Sequence, residues 1–124
     1  MLVSEQEIIE LKNFVFQLNS KTDSVVVVEG KRDCNALRIL GYSGKILEFH
    51  KFKGMIDFTD YAAKFQSIII LFDRDKKGRY LTKKTIELLQ RRTKIDLSYK
   101  RELHAITKGK IRFIEQLVCY EYLV

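Results

Sequence analysis

Proline is absent from this chain of 124 residues, and cysteine and histidine occur only twice each. With no proline, no repeat and no low-complexity stretch to mark a linker, the sequence reads as a single domain over 1–124, divided into an N-terminal helix and turn (1–22) and a core (23–124). Cys34 and Cys119 stand far apart, so no Cys/His cluster has zinc spacing, and both read as small core residues rather than a disulfide framework. A reducing, cytoplasmic setting is expected. No apolar run approaches the ~20 residues needed to span a bilayer. The start also lacks the charged and apolar regions of a signal peptide, and a soluble protein without a membrane partner is expected.

Acidic residues are the minority among the charges, 16 against 23 Lys plus Arg, for a net charge of +7. A basic surface on so small a domain favours polyanionic partners, of which nucleic acid is the usual one.

Against that basic background the acids are concentrated. Val25-Val26-Val27-Val28 runs into Glu29-Gly30-Lys31-Arg32-Asp33, and Ile68-Ile69-Ile70-Leu71-Phe72 runs into Asp73-Arg74-Asp75. Short β-branched and aliphatic runs of this kind read as strands buried on both faces. Their acids should then meet at the carboxyl edge of a parallel sheet, where open α/β folds place their sites. Carboxylates converging there suit Mg²⁺ or Mn²⁺, with Asp73 and Asp75 on one side of a strand end and Glu29 completing the shell or moving a proton. Asp33 has two readings, an outer ligand or an acid favoured by the helix dipole alone. Lys31, Arg32, Lys51, Lys53, Arg74, Lys76, Lys77 and Arg79 come from loops at the same edge and are candidate contacts to nucleic-acid phosphates. His50 lies in one of these loops, near enough to assist a proton transfer. Tyr80, Tyr99, Tyr120 and Tyr122 form no arrangement of a covalent nucleophile.

The remaining elements follow from periodicity. Ser4-Glu5-Gln6-Glu7 is a capping box opening a helix to about Leu18, with Ile8, Leu11, Val15 and Leu18 on one face. A helix from Lys31 to Leu40, with Cys34, Leu37 and Leu40 together and Gly41 ending it, follows the first strand. A strand over Lys45 to Phe49, a helix over Asp57 to Phe65 and a strand over Ser67 to Phe72 come next. The following helix spans Leu81 to Arg92, with Leu81, Thr85, Leu88 and Leu89 inward. Ile95, Leu97 and Tyr99 alternate as a strand would, while Tyr99, Leu103 and Ile106 fit helical spacing, so a short edge strand followed by a helical turn is expected. Ile111, Ile114, Leu117 and Val118 suit a last helix entered through Lys108-Gly109-Lys110. The βαβα alternation implies right-handed crossovers between parallel strands.

Residues Val25 to Gly78 resemble the Toprim domain, through Glu29-Gly30 with Asp33, Ala36-Leu37 and Gly41, and through Asp73-x-Asp75 with Gly78. The resemblance implies an α/β, three-layer fold with a central, mainly parallel four-stranded sheet flanked by helices. It also implies Mg²⁺ held by the Asp-x-Asp pair Asp73 and Asp75, with Glu29 in proton transfer or metal binding. The chain is too short for a topoisomerase of this type, which needs a separate tyrosine-bearing domain, or for a primase with its zinc module. It is similar to small Toprim proteins related to the ribonuclease that matures 5S ribosomal RNA, and Glu115 echoes a late glutamate of some of them. A metal-dependent nuclease acting on structured RNA or on DNA is therefore expected. That ribonuclease has a further C-terminal region for substrate binding, so recognition here would fall to the basic rim or to a partner protein. The alternatives are a nucleic-acid-binding accessory protein that leaves its ligand intact, a primase- or topoisomerase-like catalytic subunit that needs partners, and a receiver- or phosphatase-type fold.

Overall fold

The computed structural model describes residues 3–111 and 113–120; the side chain of Cys119 and all of Tyr122 lie outside them. Strands β1 (Ser24–Val28), β2 (Ile46–Glu48), β3 (Ser67–Ile70) and β4 (Lys94–Asp96) form one sheet in the order β2-β1-β3-β4. All three pairings are parallel, with Val27 opposite both Leu47 and Ile70, and Ile69 opposite Asp96.

The two apolar runs lie side by side at the centre of this sheet, and successive side chains of a strand point to opposite faces. Val25, Val27, Ile68, Ile70 and Phe72 pack on one face with Phe58 and Ala62 of α3 (Met55–Ala62) and Leu81 and Leu89 of α4 (Lys76–Leu89). Val26, Val28, Ile69 and Leu71 pack on the other face with α1 (Glu5–Asn19), α2 (Lys31–Ile39) and α5 (Ser98–Ile106). Three layers result, and the unbroken Val and Ile runs are what a strand covered on both sides requires. The stripe of α1 is covered by its own chain, with Leu11, Phe14 and Leu18 buried and Phe14 edge-on to Tyr99 of α5 at 5.8 Å between ring centres.

Four details depart from the periodicity or decide between its alternatives. α4 begins at Lys76 rather than Leu81, because Asp75 is its N-cap: Oδ1 accepts the Gly78 amide at 2.8 Å, so the polar Lys-Lys-Gly-Arg run is the first helical turn. Leu88 is 36% exposed, since Gly78, Leu81, Thr85 and Leu89 define the buried stripe and Leu88 falls on its flank. Of the two patterns that Tyr99 fits, the helical one with Leu103 and Ile106 holds, and all three are buried on α5. The last element is a 3₁₀ turn over Ile114–Tyr120; residues three apart eclipse in such a turn, which buries Ile114, Leu117 and Tyr120 together and leaves Val118 39% exposed.

No helix among the described residues is long and apolar enough to cross a membrane.

Candidate metal centre

Because β1 and β3 are neighbours, the residues that follow them emerge side by side. Glu29 comes directly after β1, Asp33 sits in the first turn of α2, and Asp73 follows the β3 run. One carboxylate oxygen from each lies within 4.8 Å of the other two. Asp33 and Asp73 are 7% and 8% exposed, so two of the three acids are largely withdrawn from water.

Each is fixed by backbone. The Gly30 amide donates to Asp33 Oδ2 at 3.2 Å, closing the start of α2, and the backbone of Glu115 also hydrogen-bonds Asp33. The Ile114 amide donates to Asp73 Oδ1 at 2.7 Å. Asp73 and Glu29 are close enough to share a hydrogen bond, which requires one proton between two carboxylates.

Those contacts shape the protonation of the cluster. Burial, the hydrogen bond with Glu29 and the charges of Glu29 and Asp75 push the Asp73 carboxyl up to about 7, against the lowering effect of the Ile114 amide. Burial and the nearby Asp73 push Asp33 to about 6. Three acids in this arrangement need a proton or a cation between them. The donor set is hard oxygen throughout, and octahedral Mg²⁺ with ligands at about 2.1 Å places opposite oxygens about 4.2 Å apart. The trio therefore fits one such ion with little rearrangement.

Asp75 stands outside the trio. It caps α4 and acts on Asp73 through its charge alone, while Asp33 takes the third position.

The predicted cations divide into groups. Lys31, Arg32 and Lys77, with His50, line the shallow cavity of about 410 Å³ that opens on Glu29, Asp33 and Asp73. Lys77 lies 3.8 Å from Glu29, and Arg32 lies 3.8 Å from Glu115. Lys51 is tied at 2.9 Å to Glu48, which also holds the His50 ring at 3.0 Å. Burial raises the Glu48 carboxyl, but the hydrogen bonds from Lys51 and His50 outweigh it and hold the group below the usual carboxylate range. His50 is thereby oriented beside the cavity, and its amide donates to the Glu29 carbonyl at 3.0 Å. Lys53 donates its amide to Asp57 at the start of α3 and does not line the cavity; neither does Lys76. Arg74 and Arg79 act together on Lys100 of α5, a residue that no local pattern distinguishes.

The C-terminal segment, which supplies the Ile114 and Glu115 contacts, is anchored from the other end of the molecule. Glu7, 2% exposed, accepts from Lys110 Nζ at 2.8 and 2.9 Å and from the Tyr120 hydroxyl at 2.6 Å. Replacing Glu7 by Ala strips a half-buried cation and a buried hydroxyl of this carboxylate. We expect a loss of about 3 kcal/mol in urea unfolding, and an unchanged midpoint would contradict the anchoring role.

No family model matches the chain. A UPF0292 protein of Pyrococcus furiosus is 37% identical over 75% of this chain and 70% of its own length. A UPF0292 protein of Archaeoglobus fulgidus is 34% identical over 84% of this chain and 83% of its own, and one of Methanosarcina acetivorans is 31% identical over 94% and 78%. Among solved structures, a putative protein from Aquifex aeolicus superposes with a TM-score of 0.71 at 26% identity, over 86% of this chain and 96% of that one. Relatives above 30% identity, matched over most of both chains, make this protein a member of the UPF0292 family.

Proposed function

We propose that the protein is a small Toprim-type enzyme that uses Mg²⁺ or Mn²⁺ to cleave phosphodiester bonds in RNA or DNA. The observation that carries the reading is the trio Glu29, Asp33 and Asp73, brought within 4.8 Å at the carboxyl edge of a parallel sheet and bordered by Lys31, Arg32 and Lys77. A divalent cation held by these carboxylates would supply Lewis-acid chemistry at a phosphoryl oxygen. Asp33 and Asp73 would hold the ion, and backbone amides hold them in turn, so their oxygens are set before substrate arrives. Glu29 is the least enclosed of the three and lies beside Asp73, which suits it to move a proton at the attacking or leaving oxygen. Lys77, Lys31 and Arg32 offer cations to the phosphate oxygens that flank the reacting one.

A basic rim over an acidic centre separates this reading from a phosphate-handling switch. Small anions need one or two cations, whereas three cations spread over the first turns of α2 and α4 match a strand with several phosphates. The accessory-protein reading shares the rim and differs in leaving the strand intact.

The test is incubation with labelled structured RNAs and DNAs in Mg²⁺, in Mn²⁺ and in EDTA, with Glu29→Gln alongside. Cleavage should require the metal and fall by about 10² to 10⁴-fold in Glu29→Gln. Binding with no cleavage under any metal condition would overturn the enzymatic reading in favour of the accessory protein.

A further inference from the structure

A second concave site shares no lining residue with the carboxylate cavity. It has a volume of about 360 Å³ and is lined by Arg79, Thr82, Lys83, Ile86, Glu87 and Lys100. Three of these are cations, Arg79 and Lys83 on α4 and Lys100 on α5, two helices joined by the Lys100–Thr82 hydrogen bond. The one acid among them, Glu87, is already engaged by Lys84 at 3.5 Å.

Lys100 is the telling member. It is half-buried, and its Nζ donates to the hydroxyl of Thr82 at 3.2 Å. Among the described residues it has no carboxylate within ion-pair distance, although seven other pairs of that kind occur. A withdrawn ammonium costs free energy unless an anion compensates it. Burial and the charges of Arg74 and Arg79 all oppose its protonation, while Asp73 and Glu29 favour it, which places Lys100 within electrostatic reach of the metal centre. Ile86 and the aliphatic stems of Lys83 and Arg79 form the apolar part of the wall, a surface for a planar base.

We propose that this cavity is a nucleotide subsite, in which Lys100 and Arg79 bind a phosphate and Ile86 supports the base of a residue further along the strand whose phosphodiester lies at the carboxylates. The site rests on the reading of the protein as a nucleic-acid enzyme and adds a direction: the strand runs from the Lys31 and Arg32 side, across Asp73, towards α5. Its ligand is a phosphodiester strand, and RNA and DNA are distinguished by the test.

The experiment is fluorescence anisotropy of labelled single-stranded RNA and DNA 12-mers in EDTA across a salt series, with wild type, Lys100→Met, Lys100→Arg and Asp73→Asn. Methionine keeps the stem and removes the charge, and Thr82 keeps its bond to the Gly78 carbonyl at 2.8 Å within α4, so the variant loses only the bond from Lys100 Nζ. Lys100→Met should bind about 10-fold more weakly, with a salt slope smaller by about 1. Lys100→Arg should restore most of the affinity, and Mn²⁺ binding should be equal in Lys100→Met and wild type. The polymer that suffers the larger loss is the natural one. Equal affinity and slope in wild type and Lys100→Met would overturn the subsite, as would a wild type that binds neither polymer. Asp73→Asn separates the two proposals: binding in EDTA that persists in Asp73→Asn, while cleavage is absent even in wild type, would sink the enzymatic reading and leave the subsite standing.

Discussion

Asp73→Asn should lower metal-dependent cleavage by at least about 10²-fold and, at the same time, make the metal-free protein more stable than wild type above neutrality. Both effects come from one group. Asparagine keeps the oxygen that accepts the Ile114 amide and can donate to Glu29, so the geometry around the site survives. The charge that attracts the cation does not. In the wild type the carboxyl titrates near 7 when folded but near 3.8 when unfolded, so the folded state binds its proton more tightly. The stabilisation from that proton is complete below about pH 4 and is lost as the pH climbs towards 7. Asp33, raised to about 6, adds to the same trend.

Without metal, the wild-type melting temperature should therefore fall between pH 5 and 8, and Mn²⁺ should restore it most strongly at the upper end, where the ligands are ionised. Asp73→Asn should show a flatter pH dependence and little response to Mn²⁺. Thermal melts over that range, with and without Mn²⁺, measure both. An Asp73→Asn protein stabilised by Mn²⁺ as strongly as wild type would remove Asp73 from the metal site.

Gly78→Ala is the second large effect, and it tests how Asp73 is supported rather than what it does. A β-carbon at position 78 would clash with the Asp73 carbonyl oxygen and would come within 2.6 Å of its carbonyl carbon and 2.9 Å of its nitrogen. Those are backbone atoms of the segment that carries the candidate ligand Asp73. They cannot rotate away as a side-chain tip can. Alanine gains about 1 kcal/mol over glycine in a helix interior, but displacing packed backbone costs up to about 3 kcal/mol or more. The clash should win. Gly78→Ala is expected to lower the unfolding midpoint in urea and to weaken Mn²⁺ binding together, because the first turn of α4 must move away from Asp73. Wild-type stability with normal metal affinity would show that the turn accommodates the methyl group and that the close approach has no role in placing the ligand.

The amino-acid sequence by itself determined the sheet and the sheet edge on which the acids stand. Val25 to Val28 and Ile68 to Phe72 are too short and too uniformly apolar to be anything but strands covered on both sides, and the helices between them force parallel pairing. Glu29 and Asp73 were legible for that reason: an acid at the end of such a run has one place to go. The basic residues at the edge were legible in number but not in position. Lys31, Arg32 and Lys77 line the cavity, whereas Lys53 and Lys76 do not, because which side of a helix turn or loop meets the cavity depends on packing that lies outside local sequence.

Only the tertiary structure decided between Asp33 and Asp75. Both are acids near a helix start, and each accepts a backbone amide within its own turn, at 3.2 Å for Asp33 and 2.8 Å for Asp75. What separates them is that α2 begins after a single residue beyond Glu29, so its first turn folds back over the neighbouring strand end and brings Asp33 to the other two acids. The remaining parts of the centre, the Ile114 amide and Lys100, come from far along the chain, with no pattern of their own. The Ile114 amide reaches Asp73 through the burial of Ile114, Leu117 and Tyr120, and Lys100 reaches Thr82 of α4 from α5, on the other face of the sheet. Apolar contacts between distant segments, not a local motif, put them there.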